Sequence, residues 1–214
     1  MKLNFLNVAL GIVLSATTIM ASAQKAYKEG SMTYTATVAG QTADSQLFFK
    51  GDSSSTSGKA GPASFKTIMA NNGDYLAIIL DVPVANIKKA FIGTPAELEQ
   101  AKDMEPNFTF TPTTETKVIN GFNCKKVMVK DAKSGTSSDA WVTNDFTVPV
   151  NILTKYFASA GGFPIQFTTV QQGQQLQILI KSISDVKAPA GTFSIPAGYE
   201  RGTFADMAAL RGGR

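Results

Sequence analysis

The chain has 214 residues with a formal charge of +4, 17% charged residues, one cysteine and no histidine. Those counts exclude Ser-His-Asp and Cys-His catalysis, His-ligated metal centres and any intrachain disulfide. The charged share lies below the usual figure of about 25%, and Gly, Ser and Thr are abundant, which points to a mostly β domain able to bury a core without staples.

Lys2 opens a positively charged start, Leu3 to Met20 form an apolar stretch, and Ala21-Ser22-Ala23 matches a small-x-small cleavage site. Residues 1–23 are therefore expected to be an export signal cut before Gln24. The strongly apolar part, Val8 to Leu14, is shorter than the ~20 residues of a membrane span. No cysteine sits at the cleavage site, so the expected product is a periplasmic or secreted protein without a lipid anchor. Residues 24–200 form one expected domain, and 201–214 a tail or short helix. The basic residues are dispersed, as in the isolated pairs Lys88-Lys89 and Lys125-Lys126. That pattern argues against nucleic acid as a partner.

The first strand is read over Ser31 to Val38, where Met32, Tyr34, Ala36 and Val38 alternate with Ser and Thr. Ala43, Ser45, Leu47 and Phe49 continue the alternation after a turn. Gly51 to Gly61 reads as a polar, mobile loop. Ser64 to Ala70 and Tyr75 to Val82 flank Asn71-Asn72-Gly73-Asp74, a hairpin signal. Tyr75 to Leu80 is apolar on both faces, so both faces need covering. Thr94, Pro95 and Glu97 carry the signature of a capped helix start. Phe108 to Ile119 and Phe122 to Lys130 form a hairpin about Asn120-Gly121. A short strand follows around Ala140-Trp141-Val142.

Pro149 to Ala160 is predicted to be a helix, with Val150, Leu153, Tyr156 and Phe157 on its apolar face and Gly161-Gly162 as stop and hinge. Pro164 to Val170 and Gln175 to Val186 make a final hairpin around Gly173. Thr203 and Asp206 can cap a terminal helix ending at Gly212. The sum is eight or nine strands in antiparallel hairpins with one or two helices. The predicted fold is a curved sheet or half-barrel with helices over its concave face.

Gly121-Phe122-Asn123-Cys124-Lys125-Lys126, then Trp141-Val142-Thr143, then Phe193-Ser194-Ile195-Pro196-Ala197-Gly198-Tyr199 carry a resemblance. Together they resemble an uncharacterised domain-of-unknown-function family of exported proteins common in Bacteroidota. The closing segment is also similar to the end of the half-barrel outer-membrane lipoprotein carriers of the LolA and LolB kind. The resemblance implies a curved antiparallel sheet capped by helices, and it implies no catalytic residues.

The remaining candidates are few. Cys124, mid-strand and without an activating histidine, reads as a structural thiol. Ser53 to Ala60 is a near miss for a phosphate loop, lacking the first Gly and the final Ser or Thr. Asp131, Ser134, Gly135 and Asp139 do not match a calcium-loop spacing. Asp139 and Asp145 flank Trp141 at the sequence level alone. No catalytic residue, metal or cofactor is expected. Phe49, Phe65, Ile78, Leu80, Trp141 and Phe157 either fill the core or line a cavity for a lipid or other apolar ligand. The expectation is a non-catalytic binding protein, with a structural or interaction module of the cell envelope that offers a sheet edge or loop to a partner as the alternative.

Overall fold

A computed structural model of the chain describes residues 24–171 and 174–212. The export signal read over 1–23 and the turn at Gly173 lie outside the described residues. After a short β1 (Lys25–Ala26), six strands run as one meander: β2 (Glu29–Val38), β3 (Gln41–Lys50), β4 (Ser53–Ala60), β5 (Ala63–Ala70), β6 (Tyr75–Val82) and β7 (Ile87–Ile92). Helix α1 (Pro95–Asp103) then precedes β8 (Phe108–Ile119), β9 (Phe122–Asp131) and β10 (Ser137–Thr143), a second meander starting from the opposite edge of the sheet. β11 (Phe146–Thr147) pairs in parallel with β1. β12 (Phe163–Gln171) and β13 (Gln174–Ser184) close the gap between the meanders, and β14 (Glu200–Thr203) leads into α2 (Phe204–Gly212).

The main sheet has twelve strands in the order β14-β7-β6-β5-β4-β3-β2-β13-β12-β10-β9-β8. It curves but does not close, since β14 and β8 remain edges. Its ladders are antiparallel as predicted, except that β14 runs parallel to β7.

Local chemistry explains the elements that the sequence signals well. At α1 the Thr94 hydroxyl accepts the Glu97 N–H at 3.3 Å, while the Glu97 carboxylate accepts the Thr94 N–H at 2.8 Å, a complete capping box. Thr203 and Asp206 make the same exchange at the start of α2, with Thr203 N–H donating at 2.7 Å. Asn120 and Gly121 take φ of 49° and 85°, the paired positive values that a two-residue hairpin requires.

Two expectations are corrected. The supposed mobile loop at 51–61 is strand β4, in which Ser54, Ser55 and Thr56 are buried. Its small side chains face large ones on both neighbours, as in Phe49 opposite Ser54 and Ser54 opposite Met69. Its hydroxyls are satisfied in place: Ser54 Oγ accepts the Ile152 N–H at 3.1 Å. Burial of a Ser-rich strand is therefore inexpensive.

The helix predicted over 149–160 is a chain of tight turns with a single 3₁₀ turn at Lys155–Phe157. Asn151 is the cause. Its Nδ2 donates to the Pro149 carbonyl at 3.2 Å, and its Oδ1 accepts the Leu153 N–H at 3.1 Å. An α-helix would join those two backbone groups to each other, so the fully buried Asn151 side chain replaces that bond.

This segment is a plug, not a lid. Leu153, Phe157 and Ala160 are at most 4% exposed. They pack with Met32, Leu47 and Phe49 from β2 and β3, Val127 and Val129 from β9, and Ile165, Phe167, Ile178 and Ile180 from β12 and β13. The Phe157 ring lies 4.7 Å from Phe167 and 5.5 Å from both Phe108 and Phe110. The concave side of this part of the sheet is a filled core. Apolar burial on this scale, at roughly 1.5–3 kcal/mol for each large side chain, is what holds the curved sheet around the plug.

A second, smaller cluster sits on the opposite, outer face of β5 to β7. There Ile68, Ala77, Ile79 and Ala90 pack against Ile195 and Tyr199 of the strap, the segment that returns from β13 to β14. Tyr199 donates its hydroxyl to Asp81 Oδ2 at 2.8 Å, and Lys66 Nζ donates to the carbonyls of Gly191 and Ser194 at 2.9 and 3.2 Å. The path of the strap explains the parallel β14: the chain crosses the outer face before re-entering the sheet beside β7.

Candidate functional site

Register carries the inner face outward from the plug. Phe49 opposes Ser54, Ser54 opposes Met69, and Met69 opposes Leu76. On that face Phe65 pairs with Leu80, Val82 pairs with Ile87, and Ile78 lies two residues before Leu80. These five side chains form a strip about 14 Å long along β6, and all five stay half-buried. Val84, in the turn beyond it, is 80% exposed. Between plug and strip lies a band of buried hydroxyl groups from Ser54, Thr56 and Thr67. Tyr34, 5% exposed, is in register with Ser45, and burial raises its pKa.

β6 is thus apolar on both faces as the sequence required, but the two faces differ. The strap covers Ala77 and Ile79, while Ile78 and Leu80 keep partial exposure.

The six residues expected to act together do not converge. Phe49 and Phe157 belong to the plugged core. Phe65, Ile78 and Leu80 adjoin one another on the strip. Trp141 packs, half-buried, at the margin of the plugged core, in register with Gln166, and Lys117 Nζ lies 4.0 Å from its ring centroid. Val82 and Ile87 escaped sequence reading. Continued alternation past Asp81 would have found Val82, whereas β7 carries no clear period.

A groove of about 430 Å³ opens at the other end of the sheet, among Glu105, Phe108, Asp131, Ser138, Thr168 and Gln175. Its carboxylates are already engaged. Glu105 takes an ion pair from Lys155, and the pKa of neighbouring Tyr156 is raised first by burial and then by the Glu105 charge. Asp131 accepts the N–H groups of Asn107 and Lys133 and the hydroxyl of Ser134 at 3.0, 3.1 and 2.7 Å, and these bonds hold its pKa below the ordinary value. Two carboxylates so held make a structural knot rather than an acid–base pair.

The other sequence candidates are also accounted for. Asp139 pairs with Lys126 at 3.0 Å, and Asp145 accepts the Asn123 N–H at 2.7 Å. Among the described residues no three acidic or thiol side chains cluster as metal ligands. Cys124 is 2% exposed, and burial, with Asp145 nearby, pushes its thiol pKa up to about 11. Among the described residues no helix is long and apolar enough to cross a membrane.

The profile of a domain of unknown function, DUF4412, matches residues 28–151, from the start of β2 into the plug. That is more than half of the chain. The chain belongs to this family.

Among curated proteins no sequence matches this DUF4412 chain. Solved structures similar to it include the following three. PNGF-II, in a C2 crystal, shares 17% identity over 84% of this chain and 32% of its own, with a TM-score of 0.44. MucB shares 10% over 81% of this chain and 58% of its own, at 0.34. A DUF1329 family protein from Desulfovibrio piger shares 8% over 78% and 90%, at 0.26. The DUF4412 chain thus spans about a third of PNGF-II and just over half of MucB.

Proposed function

We propose that this protein is an exported, non-catalytic binding protein whose concave strip on β5 to β7 takes an apolar ligand, such as an acyl chain. One observation carries the reading. β6 is apolar on both faces, and the fold fully covers only the outer one. Partly exposed aliphatic side chains aligned on a rigid concave sheet are what a flexible apolar chain needs. Export is supported by the Ala21-Ser22-Ala23 pattern before Gln24.

The alternative, a module that offers a sheet edge or loop to a partner protein, has less support in its edge form. β8 carries Pro112, and its register breaks between Pro112 and Thr116. Both features blunt an edge against strand addition. The opposite edge, β14, is only four residues long.

Titration with a series of saturated fatty acids tests the reading. A fully shielded methylene contributes about 0.8 kcal/mol, so a half-shielded one should raise affinity about twofold. Affinity that climbs with chain length, and is lost in Leu80→Asp with the fold intact by circular dichroism, is the expected result. Equal affinity for all lengths, or none for any, would leave the strip without this role.

A further inference from the structure

We infer that a separate pocket on the outer face, between β4 to β6 and the strap, binds a small anionic ligand bearing a carboxylate or phosphate group. The pocket has a volume of about 340 Å³ and includes Ser57, Lys59, Ser64, Lys66, Asp81 and Tyr199 in its lining. Register places the polar residues together. Ser57 opposes Lys66, Lys59 opposes Ser64, and Ser64 opposes Asp81.

The charges in this pocket are unbalanced. Among the described residues the ammonium of Lys66 has only the neutral carbonyls of Gly191 and Ser194 as hydrogen-bond partners. Burial of that cation lowers its pKa, the mark of a charge without a full counter-charge. Among the described residues Lys59 forms no ion pair. The lone carboxylate in the lining, Asp81, does not pair with either lysine. Its Oδ2 accepts the Tyr199 hydroxyl, and its Oδ1 is buried without a partner among the described residues. Lys88, exposed and in register with Asp81, adds a third positive charge on the same face.

An anion seated between Lys59 and Lys66 supplies the missing counter-charge, with the Ser57 and Ser64 hydroxyls as further donors. The volume leaves room for a body larger than the anionic group itself. Its polar lining lies on the opposite face of the sheet from the apolar strip, and Phe65 alone borders both.

Calorimetric titration with inorganic phosphate, and separately with glucuronate, tests the site. Ionic strength is held constant with sodium chloride so that general screening does not change. Saturable binding is expected, weakened about tenfold in Lys59→Gln and in Lys66→Gln, and unchanged in Lys125→Gln. Lys66→Gln also frees the strap, so Lys59→Gln, which leaves those strap bonds in place, is the deciding variant. Vesicles of phosphatidylcholine with phosphatidylglycerol form the second arm. Vesicle binding lost in Lys59→Gln, without free-anion binding, assigns a lipid headgroup, and free-anion binding assigns a soluble ligand. No saturable binding in either arm, or equal affinity in Lys59→Gln, overturns the inference.

Discussion

Phe65 lies across Gly58 so closely that a Cβ added to Gly58 would stand 2.6 Å from Phe65 Cζ. The two residues are cross-strand partners on β4 and β5. The glycine makes room for the tip of the ring, whose Cζ and Cε2 would lie 2.6 and 3.1 Å from the added Cβ. One end of the apolar strip is therefore set by a backbone position.

Gly58→Ala should accordingly push the Phe65 ring off β4. Overpacking of this kind costs about 1–3 kcal/mol, readable by urea denaturation. A shorter side chain in the same background, Phe65→Leu, should recover part of that loss, making the pair non-additive. Strictly additive effects would mean that the contact is not what holds the ring.

Phe157→Ala should destabilise the protein by about 3–5 kcal/mol, because Phe157 is 2% exposed and packed against three other rings. Fatty-acid affinity of the fraction that remains folded should not change, since the hydroxyl band separates plug from strip. A mild stability loss with weakened fatty-acid binding would instead make the plugged region the ligand cavity.

Alkaline pH should destabilise the fold. Unfolded thiols and phenols ionise near pH 8.5 and 10, about their ordinary values. In the folded chain burial keeps Cys124 protonated to about pH 11 and raises Tyr34 and Tyr156 as well. The folded state then holds more protons than the unfolded one, so stability present below about pH 8.5 declines as pH rises. Thermal melts from pH 8 to 11 check this, and alkylation of Cys124 should be slow at pH 7.5 until denaturant is added.

Helix α1 offers a test in acid. Its capping carboxylate, Glu97, has its pKa lowered first by the Thr94 N–H, and also accepts the Ala205 N–H at the start of α2 at 2.8 Å. That contribution is present above the unfolded carboxyl value of about 4.3 and is lost as pH falls through the lower folded value. Thr94→Ala should cost about 1 kcal/mol at neutral pH, measured by chemical denaturation. Helical signal lost from both α1 and α2 on acidification would match the shared carboxylate.

Much of this architecture was legible wherever a signal is local. The α1 cap, the Asn120-Gly121 turn, the bounds of β8 and the Thr203–Asp206 cap all follow from neighbouring residues in sequence. What was not legible depends on distant partners. Ser53 to Ala60 reads as a loop until Phe49, Met69 and the Ile152 N–H are placed around it. The plug mimics a helix in its apolar spacing, but the Asn151 side chain takes the backbone groups that the helix needs. Three strip residues, Phe65, Ile78 and Leu80, could be named because alternation marks a face. Alternation does not say whether a face meets the plug, the strap or neither, so Phe49, Phe157 and Trp141 were grouped with them.

Paramagnetic mapping by NMR with a spin-labelled fatty acid tests the central claim most directly, because it reports where the chain rests. Signal loss should concentrate at Phe65, Ile78, Leu80, Val82 and Ile87, with the plug around Phe157 unaffected. Loss confined to the groove at Phe108 and Thr168, or no localised loss at saturating fatty acid, would contradict it.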